Sequence, residues 1–183
     1  MIIGITGTNG AGKGTVVEYL VEKGFTHYSA RDFITAEIQK RGLEVNRDNT
    51  RAIANSLRQE YGPAYVIESL FYKAQEDGGD AVIESVRTVG EAQFLKGQGA
   101  HIFAVDADQH TRYERIVGRG SALDKVSFEQ FVEQEDREMA STDSWDMNIS
   151  GVMALADYTL TNDGTVENLH AQVDAVLEKL GTS

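Results

Sequence analysis

A chain of 183 residues, 41% of them apolar, is long enough to bury a sizeable core as one domain, which excludes a disordered chain. With 17 basic against 29 acidic residues the formal charge is −12, and such a surface repels nucleic-acid backbones, so no polynucleotide partner is expected. The absence of cysteine excludes disulfides, thiolate metal sites and a cysteine nucleophile; with no apolar run of membrane-spanning length and no signal-peptide pattern, a cytoplasmic protein without a membrane partner is expected.

The first predicted element is a buried strand over 2–6, carried by Ile2, Ile3 and Ile5. It feeds Gly7-Thr8-Asn9-Gly10-Ala11-Gly12-Lys13-Gly14-Thr15, after which Val17, Leu20 and Val21 mark one face of an amphipathic helix. Strand, glycine-rich turn, lysine and helix are the parts of a phosphate-binding loop. The glycines let successive N–H groups converge on an anion, the helix adds the positive end of its dipole, and Lys13 can bridge terminal phosphates. Gly14 stands where the usual pattern has a hydroxyl for Mg²⁺, with Thr15 one place later.

Gly24 stops that helix, and a second strand is predicted over 25–29. A helix over 32–41 ends at Gly42, Asn46 opens another with Ile53, Leu57 and Tyr61 at four-residue spacing, and Pro63 suits the first turn of a third carrying Val66, Ile67, Leu70 and Phe71. Three helices exceed what a simple crossover needs, so residues 31–77 read as an insertion over an acceptor substrate. The third strand, 81–85, runs into Val86-Arg87-Thr88; the fourth, 101–105, runs into Asp106-Ala107-Asp108 and a helix holding Arg112, Arg115 and Arg119. Ser127-Phe128-Glu129-Gln130 forms a capping-box pattern. The fifth strand, 158–161, ends at Asn162-Asp163-Gly164, good turn chemistry in itself. The last helix shows a packing stripe of Val166, Leu169, Val173, Val176, Leu177 and Leu180. This alternation predicts one α/β domain over 1–183, a parallel sheet with helices on both faces and its ligand-gathering loops on one edge.

Two readings stay open for Asp32: a carboxylate that orients or deprotonates an acceptor hydroxyl, or a helix cap. Arg112 either joins the phosphate-binding arginines or pairs with Asp108. The four histidines lack metal-ligand spacing and read as structural or surface residues.

The loop Gly7–Thr15, Asp32, Arg87 and Glu114-Arg-Ile-Val-Gly-Arg119 resemble adenylate-kinase-type enzymes, and Ala156–Gly164 resembles dephospho-coenzyme A kinases and the archaeal adenylate-kinase-related proteins. The resemblance covers nearly the whole chain. It implies a P-loop NTPase three-layer α/β/α sandwich whose five-stranded parallel sheet is of the nucleoside monophosphate kinase type. It also implies a short helical lid near 115–137, since Gly120–Val126 is too short to carry a zinc-bearing one. The implied activity is transfer of the γ-phosphoryl group from ATP, with Mg²⁺, to a nucleotide or nucleotide-like acceptor. In that frame Gly7 through Thr15, with Thr8, Asn9, Gly10, Ala11, Gly12, Lys13 and Gly14 between, hold the donor together with Arg115, Arg119, Asn162 and Gly164. Thr15 and Glu84 serve the metal, Arg87, Asp32 and Arg58 face the acceptor, and Arg119 and Arg137 join Lys13 on the moving phosphoryl. Thr35 replaces an arginine with which adenylate kinases grip AMP, a place that Arg31, Arg47, Arg51 or Arg58 would have to fill, so the resemblance does not assign AMP as the acceptor. Alternatives are dephospho-coenzyme A kinase, or a nucleotide-binding switch or assembly ATPase without a small acceptor. Small nucleotides are the expected partners of a monomer or homodimer.

Overall fold

Five strands form one all-parallel sheet in the order β2-β3-β1-β4-β5, in a computed structural model that describes residues 1–118 and 126–181. The elements are β1 (Ile2–Gly7), α1 (Lys13–Glu22), β2 (Thr26–Ser29), α2 (Ala30–Lys40), α3 (Arg47–Tyr61), α4 (Tyr65–Asp77) and β3 (Ala81–Glu84), then α5 (Val89–Gly97), β4 (His101–Asp106), α6 (Gln109–Gly118), α7 (Phe128–Met139), α8 (Ile149–Ala154), β5 (Tyr158–Thr161) and α9 (Val166–Lys179). β1 pairs with β3 on one side and β4 on the other, so the chain changes direction across the sheet at the carboxyl end of β1. In open α/β sheets this is where ligands bind, and here it is where the glycine loop sits.

Period-two alternation explains the two cores. Ile3, Ile5, Val82, Phe103, Val105 and Leu160 face α1 and α9, while Ala81, Ile83 and Ile102 face α2, α4, α5 and α8. The five strands lie where their apolar runs predict, within one or two residues. Helix phases differ in detail. Val16, Val17 and Leu20 are the buried side of α1, and Val21 is 45% exposed because it falls a turn's quarter away from them. Tyr61 ends α3 exposed, with its ring against Tyr65 at 4.6 Å. Pro63 precedes α4, and its carbonyl accepts the Thr88 hydroxyl at 2.9 Å. Val166 leaves the α9 stripe and is 49% exposed. No helix among the described residues is long and apolar enough to cross a membrane.

Candidate nucleotide site

The loop between β1 and α1 is shaped by what its glycines exclude. A side chain on Gly7, at φ 133°, would stand 1.9 Å from the Val105 carbonyl oxygen, and one on Gly12, at φ 99°, would stand 2.2 Å from Asn162 Nδ2. Both positions therefore need glycine for close approach as well as for their positive φ. Gly12 is the residue before α1, and no side chain caps that helix. Its first-turn amides and dipole are thus presented to whatever occupies the loop, an arrangement suited to an anion. Lys13 lies back along the loop, Nζ donating to the carbonyls of Gly7 (3.0 Å) and Thr8 (2.7 Å). Side chains from distant strands lock the loop from outside. Asn162 Nδ2 donates to the Ala11 carbonyl at 2.8 Å, and the Thr8 hydroxyl donates to Asp106 Oδ1 at 2.6 Å.

The loop separates two unlike clefts. On the side of Gly10, Gly12 and Thr15 lies an open cleft of about 410 Å³, reached also by Arg115, Asn162, Gly164 and Val166. Arg115 Nη2 donates to the Asn162 carbonyl at 2.9 Å, while its Nη1 is buried with no hydrogen-bond partner. An orphaned donor beside an open cleft fits a ligand that brings oxygen or nitrogen acceptors. On the side of Gly7, Thr8 and Asn9 the space is about 10 Å³, room for roughly one water. Arg87 lines this second cleft with Gln134, Glu135 and Glu138 of α7.

Arg87 is held by its backbone from both ends. Its N–H donates to Glu91 Oε2 (2.7 Å), and its carbonyl accepts the Asn148 N–H (2.9 Å) at the start of α8. Just before it, Ser85 takes a φ of 74°, which lets the N–H groups of Ser85 and Val86 both reach the Ile5 carbonyl and turns the chain onto the site edge. A non-glycine residue there carries strain of order 1–3 kcal/mol. Glu91 is the hub. It closes a capping box with Thr88 at the start of α5, and its Oε1 accepts Arg58 Nε at 2.9 Å. Both side chains of that pair are almost wholly buried.

The other predicted residues fall out as follows. Asp32 is exposed in the first turn of α2, but the cap is Ser29, whose hydroxyl accepts the Asp32 N–H at 3.1 Å. The cap reading of Asp32 is thus corrected by one turn. Arg58 is a core residue bound to Glu91, not a side chain open to an acceptor. Thr15 lines the open cleft, whereas Glu84 reaches His27 Nε2 at 3.2 Å and lines neither cleft, so the two expected metal ligands do not share a cavity. Among the described residues no three His, Cys, Asp or Glu side chains cluster as a metal cage. A phosphate-bound Mg²⁺, which usually keeps several waters, does not need one. Arg137 is exposed on α7 in an ion pair with Glu133. Arg119 and the stretch 119–125 of the expected lid lie outside the described residues. Arg112 does not pair with Asp108. The N–H groups of Thr111 and His110 hold the Asp108 carboxyl below its usual range as a helix cap, while Arg112 engages Glu135 and lies 3.8 Å from Asp106.

Sequence reasoning passed over Glu91, Glu135, Glu138 and Asp146. Only Glu91 carried a local signal, the Thr88-Val89-Gly90-Glu91 capping box. Asp146 accepts from Arg51 and from Asn55 Nδ2 (3.2 Å), tying α3 to the segment after α7. Burial pushes its carboxyl up, but Arg51, the Met147 N–H and Asn55 together outweigh this and hold it below 3.8.

Sheet order, loop and lysine define a P-loop domain with a kinase-like α/β fold. Residues 3–146 match the family model described as an AAA domain. The chain belongs to the UPF0200 protein family: it is 33% identical to the UPF0200 protein of Thermococcus gammatolerans over 98% of this chain and 95% of that one, and 30% identical to that of Methanocaldococcus jannaschii over 98% and 90%. In structure it is similar to shikimate kinase from Acinetobacter baumannii in complex with shikimate, with a TM-score of 0.61 and 16% identity over 100% of this chain and 95% of that one. The shikimate kinase of Bacteroides thetaiotaomicron follows at 0.59 and 14%, over 99% and 98%.

Proposed function

We propose that the protein is an ATP-dependent phosphotransferase whose acceptor is a nucleotide or nucleotide-like small molecule. One observation carries this reading: a single glycine loop divides an open cleft with an orphaned arginine donor from a second cleft lined by Arg87. A donor lying in the first, its phosphates over Gly12 and Lys13, points its terminal phosphoryl into the second. Phosphoryl transfer needs little more than such in-line placement and positive charge. Lys13 and the loop amides would hold the donor phosphates, Arg115 and the Asn162–Gly164 turn its nucleoside end, and Arg87 both the acceptor and the phosphoryl passing to it, with Asp32 on the acceptor's hydroxyl. Bound Mg²⁺ would neutralise phosphate charge, with Thr15, which lines the donor cleft, as the residue of this chain that would serve it.

A second reading, a nucleotide-binding switch without an acceptor, is favoured by the small volume beside Arg87. ATP turnover measured alone and against a panel of nucleotides, dephospho-coenzyme A and small hydroxy acids, with products identified by mass, separates the two. A kinase is nearly silent until its acceptor arrives and then yields a product heavier by one phosphoryl group. Steady hydrolysis that no acceptor stimulates would establish the switch instead.

A further inference from the structure

Helix α7 carries five acidic side chains against the single Arg137, yet it lies across the mouth of a loop built for anions. Two of those acids explain how it can. Glu135 is taken by Arg112, through Nη1 to Oε1 and Nη2 to Oε2 (3.1 Å), and by Gln109 Nε2 at 2.8 Å. The same Arg112 Nη1 reaches the Asn9 carbonyl of the loop at 3.3 Å, and both members of the pair are nine-tenths or more buried. Glu138 Oε2 stands 3.6 Å from Arg87 Nη1. Both carboxylates line the small cleft with Gly7, Thr8 and Asn9.

We propose that Glu135 and Glu138 are built-in stand-ins for the terminal phosphoryl group: without nucleotide they satisfy Arg112 and Arg87, and an incoming triphosphate must displace them to claim both arginines. This assigns Arg112 a phosphate-binding role and rests on the phosphotransferase reading above. The physical case is one of competition. The space left is about 10 Å³, too small for a phosphoryl group, so whatever enters takes the carboxylates' place. A carboxylate and a phosphate oxygen offer an arginine the same two-pronged acceptor, so the exchange costs Arg112 no hydrogen bond. The displaced Glu135 cannot stay buried without its partner, because an unpaired buried charge is strongly unfavourable, so it must turn to solvent or move with α7. Diphosphate nucleotides, which lack the terminal group, leave the pairs in place. The device therefore lowers affinity for triphosphate selectively.

The test uses the full chain and compares the affinities of ADP and of a non-hydrolysable ATP analogue, each with Mg²⁺, by calorimetry. Glu135→Gln and Glu138→Gln keep shape and an acceptor oxygen but remove the charge. Each should raise the affinity for the analogue by about tenfold or more while moving that for ADP less than about twofold. If burial makes Glu135→Gln fold poorly, the half-exposed Glu138→Gln carries the same comparison. An unchanged ratio of analogue to ADP affinity overturns the inference. So does a loss of analogue affinity in folded Glu135→Gln, which would make the carboxylate a partner of the bound nucleotide and not its rival. Binding of neither nucleotide by the wild type removes the phosphate-loop reading and this inference with it.

Discussion

The two flanks of the glycine loop are built on opposite plans. Toward β5 and α9 the site is open, bordered by Arg115, Val166 and the Asn162–Gly164 turn, and its polar groups are fixed before any ligand arrives. Toward β3 and α7 it is narrowed by the chain's own ion pairs Arg112–Glu135 and Arg87–Glu138, and the same flank is packed outside the cleft by Arg58–Glu91 and Arg51–Asp146. A preformed flank needs no rearrangement to bind, whereas a flank made of paired charges must exchange partners before it can take a charged ligand. On the proposed function, the ready half would take the donor nucleoside and the occupied half would hold the chemistry.

Separating the halves by mutation is the direct way to break this picture. The largest effect is expected of Asp32→Asn: transfer to the acceptor should fall by roughly two to four orders of magnitude, with ADP affinity and melting temperature unchanged because Ser29 caps α2. Near-normal turnover in this variant would move the acceptor's base elsewhere. Arg58→Met strikes the packed flank. Leaving Glu91 buried without its arginine should cost about 3–5 kcal/mol of stability, read by denaturant midpoint, and should free the Arg87 backbone, yet ADP binding by the folded fraction should persist. If Arg58→Met costs nothing, Glu91 does not depend on Arg58. Asn162→Ala strikes the open flank instead. Losing the latch on Ala11 should lower ADP affinity by about tenfold for a cost near 1–2 kcal/mol, while the Arg58–Glu91 pair stays intact. An ADP affinity equal to the wild type's would show that the loop holds its shape unaided.

The smallest effect concerns acid. Asp146 has a folded pKa below 3.8, so its contribution is present above that value and is lost as pH falls through the folded pKa. Arg51 is 40% exposed, so screening limits the pair to no more than about 1 kcal/mol. The hydrogen-exchange protection of α3 and of residues 140–148, corrected for the intrinsic rate at each pH, should fall at acid pH before that of β5 and α9, and Asp146→Asn should show the lowered protection already near neutrality. Simultaneous loosening of both flanks would erase the distinction between them.

The sequence made the open flank legible and most of the packed one illegible, for a physical reason. Strand positions follow from short apolar runs, and the loop follows from glycine and lysine spacing, both properties of a few consecutive residues. The partners of charged side chains depend on the fold instead. Arg58 meets Glu91 across 33 positions, and Arg112 prefers Glu135, 23 residues on, to Asp108 in its own turn. Arg58 reads as an acceptor ligand from the resemblance alone; in the fold it is buried against Glu91 of α5 and is a core residue. Helix phase failed at Val21, Tyr61 and Val166 because each stands at the margin of an apolar stripe, where a shift of one position moves a side chain from core to solvent.

The latch from Asn162 to Ala11 joins residues 151 positions apart in the chain. During synthesis the glycine loop leaves the ribosome well before the side chain that fixes it. Until β5 has paired with β4 and α9 has docked on α1, a nascent chain carries the motif without the finished cradle. On the proposed function, full affinity for nucleotide is therefore acquired only once residue 162 and α9 have emerged, and a chain broken off before residue 162 would hold nucleotide more weakly than the finished fold.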